Sequence, residues 1–397
     1  MPSPSNNHFD VIVIGAGVMG CSAAWHLHQR GCEVLVLDSA PGPARQTTGS
    51  AAGFVGFHSA VHKLNWGQHL AQIQFYSLEF YRRLAERCAA DFGFKEAGIA
   101  YLFLTEAGFD AHRAGIGPAR EYGATVEILT RRQGARILPF VNFEQTKGII
   151  HVKEMACLRA GDAVHALAAE LKNNGVRFNY NMPVTKFILD GKRVGGVASN
   201  GVRFLADHVV LAAGAWTQSL LHQVGVACPA TPCTETRFIT RPIAGLMPQM
   251  PLMSFRDHQR IYLREEGGGL LIGGEDFKPT DESRSVDVND PPPVDDIPPD
   301  QAFRVRRLLH DIEHVIPMLR DVEIGTVSSG MPTFTEDDVF ILDAVPGIAS
   351  LYVMTGCQEA GVTHGPGLGR LIAELVTEGK TLWDRDPYRM TRFNTTD

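Results

Sequence analysis

Hydrophobic and polar positions near the start of the chain predict a strand, a sharp turn and a helix. Residues 11–14 form a β-branched run, which is the pattern of a strand buried on both faces. Three glycines, Gly15, Gly17 and Gly20, follow with the spacing GxGxxG. Such glycines permit the turn, the approach of backbone to a pyrophosphate, and close packing of the helix on the strand. The stretch therefore predicts a nucleotide-binding unit with phosphates at a helix N-terminus, and we expect that helix to end at Gly31.

A second apolar strand over residues 33–37 completes this unit and leads to an acidic residue. Asp38 follows at about the 20-residue separation expected for a carboxylate that binds a ribose hydroxyl. No arginine directly follows Asp38. An unphosphorylated adenosine ribose is therefore favoured, because the carboxylate would repel a 2′-phosphate.

The middle of the chain predicts further elements of a nucleotide-binding domain. A helical apolar pattern covers residues 70–90, and a second helix is expected to be capped by Asp162 and to end at Gly175. Strands follow at residues 176–180 and 184–188, then a hairpin turn near Gly191 and a buried strand at 208–214.

The end of the chain repeats the arrangement of its beginning. Residues 351–356 predict a strand, and a glycine-rich loop precedes a helix expected at residues 368–376. That helix N-terminus would direct partial positive charge inward, where it would stabilise a reduced, anionic flavin. Two such loops favour FAD over NAD, although a nicotinamide-linked dehydrogenase stays an alternative.

The pattern as a whole predicts two interwoven domains of an α/β protein. We expect a Rossmann-like FAD-binding domain and an α+β substrate domain built on a mostly antiparallel sheet. The FAD-binding domain is assigned to residues 8–90, 154–226 and 335–397. The substrate-binding domain is assigned to residues 91–153 and 227–334, and it includes a proline-rich acidic loop at 290–300 and a helix at 301–314.

Composition changes this picture mainly by exclusion. A chain of 397 residues, of which 44% are hydrophobic, can bury the cores of two domains. The net charge of −7 disfavours nucleic acid or an anionic membrane as a partner. No segment predicts a membrane span or a signal peptide. Seven cysteines without a CxxC pair favour reduced thiols, so we expect a cytoplasmic protein.

A metal site is not expected. The stretch from His310 to His314 matches the HxxEH signature of zinc proteases. It lies in a predicted amphipathic helix, and no third ligand is evident. We therefore interpret the match as coincidental and predict no bound metal.

Four segments together resemble one enzyme family. The opening glycines with Asp38, residues 48–53, residues 209–216 and residues 352–356 are similar to the D-amino-acid oxidase family of FAD oxidoreductases. This family includes glycine oxidase, sarcosine oxidase, sarcosine dehydrogenase and D-arginine dehydrogenase. The likeness spans nearly the whole chain. It implies FAD in the Rossmann-like domain, a substrate sheet that covers the flavin, and oxidation of a C–N bond.

The resemblance also implies a set of FAD contacts. Gly15, Gly17 and Gly20 correspond to residues that line the pyrophosphate, and Asp38 corresponds to the acid that binds the ribose. The other implied contacts are Ser50 and Ala51 at the diphosphate side of the flavin, Val184 at adenine through its backbone, and Gly214, Gly356, Gly361 and Thr363 along the flavin cleft.

Two departures from the family concern attachment of the flavin. Monomeric sarcosine oxidases bind it through a cysteine where this chain has Gly330. Sarcosine and dimethylglycine dehydrogenases use a histidine where this chain has Ser50. We therefore expect noncovalent FAD.

Other departures concern the substrate carboxylate. Pro332 occupies the position of the arginine clamp of glycine oxidase and D-arginine dehydrogenase, and Thr363 occupies that of a carboxylate-binding lysine of sarcosine oxidase. Substitute cations lie on predicted strands, where alternation lets only some face inward. These are Arg237, Arg241, Arg260 and Arg264.

The residues ranked first for the catalytic site are Tyr262, Arg237 and His364. Tyr262 corresponds to a substrate-binding tyrosine of D-arginine dehydrogenase, and His364 belongs to the closing glycine loop, where we expect it near the flavin ring. Other histidines follow the flavin loop and could reach the substrate entrance. They are His58, His62 and His69.

The sequence thus predicts an oxidoreductase that oxidises an N-methyl, cyclic secondary or D-amino acid, or another amine. Hydride transfer to flavin N5 would give an imine that water hydrolyses. Leu271 replaces the oxygen-activating lysine of sarcosine oxidase, so the acceptor is oxygen or another electron acceptor. The alternative is an FAD-binding assembly factor or chaperone-like protein without turnover.

Overall fold

The computed structural model describes residues 7–57, 68–257, 261–274, 286–287, 290–296 and 302–393. The helices are α1 (Val18–His28), α2 (Gln68–Arg87), α3 (Glu106–Arg113), α4 (Ile116–Glu121), α5 (Arg131–Ile137), α6 (Ala160–Asn173), α7 (Thr217–His222), α8 (Ala302–Ile312) and α9 (Gly361–Glu378).

The strands alternate with these helices in the first part of the chain and dominate the second. They are β1 (His8–Ile14), β2 (Val34–Leu37), β3 (Phe54–Gly56), β4 (Lys95–Glu96), β5 (Ile99–Phe103), β6 (Val126–Ile128), β7 (Gly148–Val152), β8 (Met155–Cys157), β9 (Arg177–Asn179), β10 (Val184–Asp190), β11 (Arg193–Ser199), β12 (Val202–Leu211), β13 (Thr231–Pro232), β14 (Glu235–Thr240), β15 (Leu252–Phe255), β16 (Tyr262–Glu266), β17 (Gly269–Gly273), β18 (Ile324–Gly330), β19 (Thr333–Phe334), β20 (Ile341–Ala344) and β21 (Leu351–Thr355).

The first large sheet has a parallel centre formed by the opening strand. β1 pairs in parallel with β2 and β12, so that Ile14 lies opposite Leu37 on one side and Leu211 on the other. The sheet continues through the hairpin β10–β11 on one side and β9 on the other, with β21 parallel to β12. The Rossmann-like arrangement expected from the β-branched run is confirmed, because strands buried on both faces support this parallel core.

Two helices pack on this sheet at unusually close range because glycines remove side chains at their contacts. A Cβ at Gly20 would lie 1.8 Å from the carbonyl oxygen of Gly15. A Cβ at Gly369 of α9 would lie 2.5 Å from the carbonyl carbon of Ser22 in α1. The predicted role of Gly20 in helix–strand packing is thus confirmed. Gly369 likewise allows α9 to pack closely against α1.

The closing helix begins earlier than its predicted start at residue 368. It starts at Gly361, and Pro366 lies inside it. Proline removes the amide that would bond to Val362, and the Tyr81 hydroxyl donates to that carbonyl oxygen instead at 3.1 Å. The glycines and the proline predicted a loop, but they form a helix, because these small residues make up the helix surface that packs against α1 and α2.

Two other helix ends differ from the prediction. Helix α1 ends at His28, three residues before Gly31, which follows in the left-handed conformation with φ of 83°. Asp162 lies in the first turn of α6 and does not cap it, since the N-cap position belongs to Arg159. Arg159 Nε donates to the Asp162 carboxylate at 2.5 Å.

The second large sheet is antiparallel except where β15 pairs in parallel with β5. Its strand order is β18-β14-β17-β16-β15-β5-β7-β6. One face packs on a hydrophobic core to which α8 contributes, and that core includes Phe238, Met253, Leu263 and Ile272. The residues that alternate with these face the other side. The predicted mostly antiparallel substrate sheet is confirmed.

A small sheet links parts of the chain that were assigned to different domains. β8 pairs with β3 and with β4. β4 lies within the predicted substrate domain, whereas β3 and β8 lie within the predicted FAD-binding domain. The two-domain division at the stated boundaries therefore stays a prediction. Among the described residues, no helix combines the length and the apolar character needed to cross a bilayer.

The glycine contact between α1 and α9 predicts a stability effect. Gly369→Ala should destabilise the protein by about 1–3 kcal/mol, because the added methyl group meets the backbone of Ser22. Thermal unfolding of the purified protein measures this.

Gly117→Ala is the matched control, since it lies in α4 with no atom within 4 Å of the added Cβ. It should change the free energy of unfolding by less than about 0.5 kcal/mol. Equal melting temperatures for both variants would contradict the packing argument.

Candidate functional site

A large cavity of about 1060 Å³ lies between the first sheet and the second. Small-molecule pockets typically occupy about 300–1,000 Å³. The volume therefore suits a dinucleotide-sized group together with a small substrate.

The nucleotide end of the cavity lies at the start of α1. Gly17 is the N-cap residue of this helix and lines the cavity. The Val18 amide donates to Thr48 Oγ1 at 3.1 Å, and a Cβ at Gly17 would lie 3.2 Å from the same oxygen. The loop of small residues thus lies against the helix N-terminus and leaves backbone exposed to the cavity, as an anion site requires.

Asp38 lies at the end of β2 beside this helix start. Its carboxylate accepts the Ala16 amide at 2.5 Å and the Ala40 amide at 2.8 Å. Burial raises the pKa of Asp38 above its usual range, and the two amide hydrogen bonds oppose that shift. The side chain is thereby held in one orientation at the cavity wall, where a hydroxyl donor can reach it.

The structure brings together most of the expected FAD contacts. Among the described residues, the lining includes Gly15, Gly17, Asp38, Ser50, Val184, Gly214, Gly361 and Thr363. Gly20, Ala51 and Gly356 do not line the cavity. Gly20 serves the helix–strand contact, and Gly356 forms a left-handed turn with φ of 65° in which its amide donates to Thr333 Oγ1 at 2.9 Å.

The start of α9 forms the opposite wall. Gly361 and Thr363 both line the cavity, so that the positive end of the helix dipole faces it. The Thr363 hydroxyl accepts the Gly56 amide at 2.8 Å and donates to the Gly56 carbonyl at 3.1 Å. Its hydroxyl therefore fixes β3 to α9.

Arg237 on β14 supplies a buried cation on the floor of the cavity, which the second sheet forms. It lines the cavity and is 8% exposed. Within the described part of the chain, its guanidinium has no hydrogen bond or ion pair. Burial lowers the pKa of Arg237 to about 10, so the group stays charged at neutral pH.

Tyr262 on β16 lies beside Arg237. A Cβ at Gly273 on the strand between them would lie 2.3 Å from the Tyr262 hydroxyl oxygen, so the ring extends across Gly273 toward β14. Phe54 packs against the ring edge with centroids 5.4 Å apart. Gly273 was not identified from the sequence, because its role depends on the cross-strand register.

The other proposed cations do not present a comparable charge. Arg264 donates from Nε to the Ala52 carbonyl at 2.6 Å, from a terminal nitrogen to Leu158 at 3.3 Å, and pairs with Glu266. Arg241 is exposed and pairs with Glu323 at 3.1 Å. Arg260 lies outside the described residues.

His364 does not line the main cavity, contrary to the expectation that it lies near the flavin ring. It is 2% exposed inside α9 and lines a smaller pocket with His69 and Tyr388. Its Nε2 lies 2.9 Å from Gln74 Nε2, and its ring packs against Phe340. The helix starts before residue 364, which turns the side chain toward the protein interior. His58 and His62 lie outside the described residues.

Sequence reasoning missed three polar residues of the floor, Tyr101, Ser254 and Arg256. All three line the cavity. A signal was present, since Ser254 interrupts the apolar strand Leu252–Phe255. Which face such a residue occupies depends on the sheet it joins, and the isolated strand does not determine this.

The described residues contain no group of three or more His, Cys, Asp or Glu side chains that could hold a metal ion. The HxxEH match lies in and just after α8, where the His310 side chain is 79% exposed.

Comparison with known proteins connects this geometry to one family. The model of the family described as FAD dependent oxidoreductase matches residues 10–375. The chain is 26% identical to 4-methylaminobutanoate oxidase (formaldehyde-forming) of Paenarthrobacter nicotinovorans, over 98% of this chain and 46% of that protein. It is also 26% identical to the mitochondrial pyruvate dehydrogenase phosphatase regulatory subunit of Mus musculus, over 96% of this chain and 43% of that protein. The chain thus spans about half the length of these two relatives.

A solved structure supports the same assignment. The crystal structure of glycine oxidase from Geobacillus kaustophilus superposes with a TM-score of 0.82 at 25% identity. The match covers 97% of this chain and 99% of that chain.

The contacts of Asp38 predict its effect on cofactor affinity. Asp38→Asn should weaken FAD binding about 10- to 100-fold, because a charged hydrogen-bond acceptor is worth about 1.5–3 kcal/mol. Fluorescence titration of the apoprotein with FAD measures the dissociation constant.

Asp10→Asn is the matched control, since Asp10 accepts the Glu33 amide at 2.7 Å and does not line the cavity. It should leave the dissociation constant unchanged. FAD binding to Asp38→Asn at the affinity of the unsubstituted protein would refute the role of Asp38.

Proposed function

Because the chain belongs to the FAD dependent oxidoreductase family, we propose that it oxidises a C–N bond in an amine or amino acid that carries a carboxylate. The substrate class is an N-methyl, cyclic secondary or D-amino acid, and the product is an imine that water hydrolyses. The nicotinamide-linked alternative is set aside, because the family uses FAD.

The observation that carries this proposal is the buried guanidinium of Arg237. A buried guanidinium without a hydrogen-bonded counter-charge is unfavourable, so such a group is retained where a ligand supplies one. The Glu266 carboxylate acts on Arg237 without pairing with it, since Glu266 pairs with Arg264. Arg237 faces the cavity without a hydrogen-bond or ion-pair partner among the described residues. A substrate carboxylate matches the planar donor set of this side chain.

The other end of the cavity fits FAD. The glycine turn at Gly15 and Gly17 and the start of α9 expose backbone where added Cβ atoms would meet neighbouring groups. Asp38 would bind the ribose, Ser50 would contact the diphosphate and Val184 the adenine. FAD, when bound there, supplies N5 as the acceptor of the substrate hydride.

The residues of this chain would act by orientation and electrostatics. Arg237 would hold the carboxylate, and Tyr262 would fix the substrate beside it on the sheet. The positive charge of Arg237 also disfavours a protonated amine nearby, so the reactive neutral amine is favoured without a dedicated general base. Enclosure between the two sheets keeps bulk water from the reacting C–H bond.

A second candidate function is an FAD-binding assembly or regulatory protein without substrate turnover. Two observations favour it. Pro332 replaces the family's arginine clamp and lines the cavity, and one relative is named as a regulatory subunit. Turnover separates the two candidates.

The direct test is anaerobic mixing of the FAD-bound protein with a panel of amines. N-methyl, cyclic secondary and D-amino acids are each compared with the corresponding carboxamide. We expect at least one acid to bleach the flavin absorbance, about tenfold or more faster than its amide, because the amide cannot pair with Arg237. The loss of flavin absorbance in the blue region measures the rate of reduction.

Readmission of oxygen then identifies the electron acceptor. Rapid return of the flavin colour indicates an oxidase, and slow return indicates a dehydrogenase with another acceptor. If no member of the panel bleaches the flavin, the oxidoreductase proposal is wrong and the non-catalytic alternative gains support.

A further inference from the structure

We propose that Tyr101 and Ser254 form a second polar subsite, which binds an oxygen atom carried by the substrate at the end remote from its carboxylate. This inference rests on the proposed function, because it concerns the substrate of the same cavity. The remote oxygen atom would distinguish the preferred substrate from simpler amino acids.

The two hydroxyl groups are buried in the cavity wall without partners. Tyr101 and Ser254 are each 2% exposed, and both line the cavity. Neither hydroxyl has a hydrogen-bond partner within the described part of the chain. Buried hydroxyls are normally hydrogen-bonded, because an unsatisfied one loses its interaction with water and gains nothing. Among the unpartnered buried hydroxyls of the described residues, these two line the main cavity and lie on neighbouring strands, so they are placed for one ligand group that satisfies both.

The register of the sheet places this subsite in line with the proposed carboxylate site. Tyr101 on β5 lies opposite Ser254 on β15, and Ser254 lies opposite Tyr262 on β16. Adjacent strands are about 4.8 Å apart, so the backbone of Ser254 lies about 5 Å from that of Tyr262, and that of Tyr101 about 10 Å. Arg237 is two strands away on the other side of Tyr262. The backbones of Arg237 and Ser254 are therefore about 14 Å apart across the sheet, and a substrate anchored at Arg237 would extend past Tyr262 and reach the two hydroxyls with an oxygen several bonds from its carboxylate.

The charges around the subsite favour a hydrogen-bond acceptor. Arg256 lines the same part of the cavity, and its positive charge acts on the Tyr101 hydroxyl. Asp257 is the acidic residue closest in sequence, but its carboxylate already accepts the Leu104 amide at 3.0 Å and the Thr105 amide at 2.7 Å. The subsite therefore offers donors, and the group it takes is a hydroxyl, carbonyl or carboxylate oxygen.

The test uses the FAD-bound protein and pairs of substrates that differ in a remote oxygen. Suitable pairs carry the oxygen several bonds from the carboxylate, namely D-norleucine and D-glutamine, N-methylnorleucine and N-methylglutamine, and D-2-aminoheptanoate and D-6-hydroxynorleucine. Anaerobic stopped-flow reduction of the flavin gives the rate at limiting substrate concentration for each. We expect the oxygen-bearing member of at least one pair to react about tenfold faster or more.

Two conservative variants test the assignment to these residues. Tyr101→Phe and Ser254→Ala each remove one hydroxyl, and each should reduce the preference about 3- to 10-fold. The rate with the oxygen-bearing member should fall by a larger factor than the rate with the member that lacks the oxygen. The double variant should react with both members of the pair at similar rates.

Matched controls remove equally buried hydroxyls elsewhere. Tyr388 is 1% exposed and Ser199 is 0% exposed, and both hydroxyls are unpartnered among the described residues and outside the main cavity. Tyr388→Phe and Ser199→Ala should keep the full preference. A preference lost equally in the controls would contradict the subsite, because the effect would then follow from altered packing.

The outcomes separate this inference from the proposed function. If the members without the remote oxygen bleach the flavin as well as their partners, the function holds and the subsite is refuted. A preference that survives in the double variant likewise refutes it. If no member of any pair bleaches the flavin, the oxidoreductase proposal fails and the subsite fails with it.

Discussion

The cavity depends on two close packing contacts, one between α1 and the turn after the opening strand and one between α9 and α1. Gly20 lets α1 lie on the turn after β1, and Gly369 lets α9 lie on α1. Because the two helices pack side by side, their N-termini meet at the same cavity, at Gly17 and Gly361. A larger side chain at Gly20 would push α1 away from the turn after β1, and one at Gly369 would separate α9 from α1. The nucleotide end of the site is thus a consequence of backbone packing more than of any single polar group.

Two buried arginines of the second sheet have different roles, one structural and one facing the cavity. Arg264 donates hydrogen bonds to the Ala52 and Leu158 carbonyls and pairs with Glu266, and it thereby links the small-residue loop to the second sheet. Arg237, on the same face, is left facing the cavity. The strand alternation that places both side chains on this face also places Tyr101, Ser254 and Tyr262 there. Under the proposed function, the sheet is therefore a floor with one charged end and one neutral polar end.

Local patterns predicted the opening strand, turn and helix, because these elements follow directly from adjacent residues. The β-branched run, the glycine spacing and Asp38 each have a meaning that short-range geometry determines. Helix α9 was placed too late, since Gly365, Pro366 and Gly367 look like a loop until α1 and α2 supply the surfaces they pack against. Because the helix already includes His364, its side chain lines the smaller pocket and not the main cavity. The residues that lie beside Arg237 and Ser254 on the sheet depend on cross-strand register, which no single segment contains.

The measurement that tests the central claim most directly is binding of an unreactive carboxylate to the FAD-bound protein. Propanoate and propanamide are titrated separately while the flavin absorbance spectrum is recorded. We expect propanoate to perturb the spectrum at a concentration at least about tenfold lower than propanamide does. Arg237→Met should remove this difference. Arg241→Met, which alters an exposed arginine, should retain it. Propanoate binding that is unchanged in Arg237→Met would contradict the assignment of the charged end of the floor.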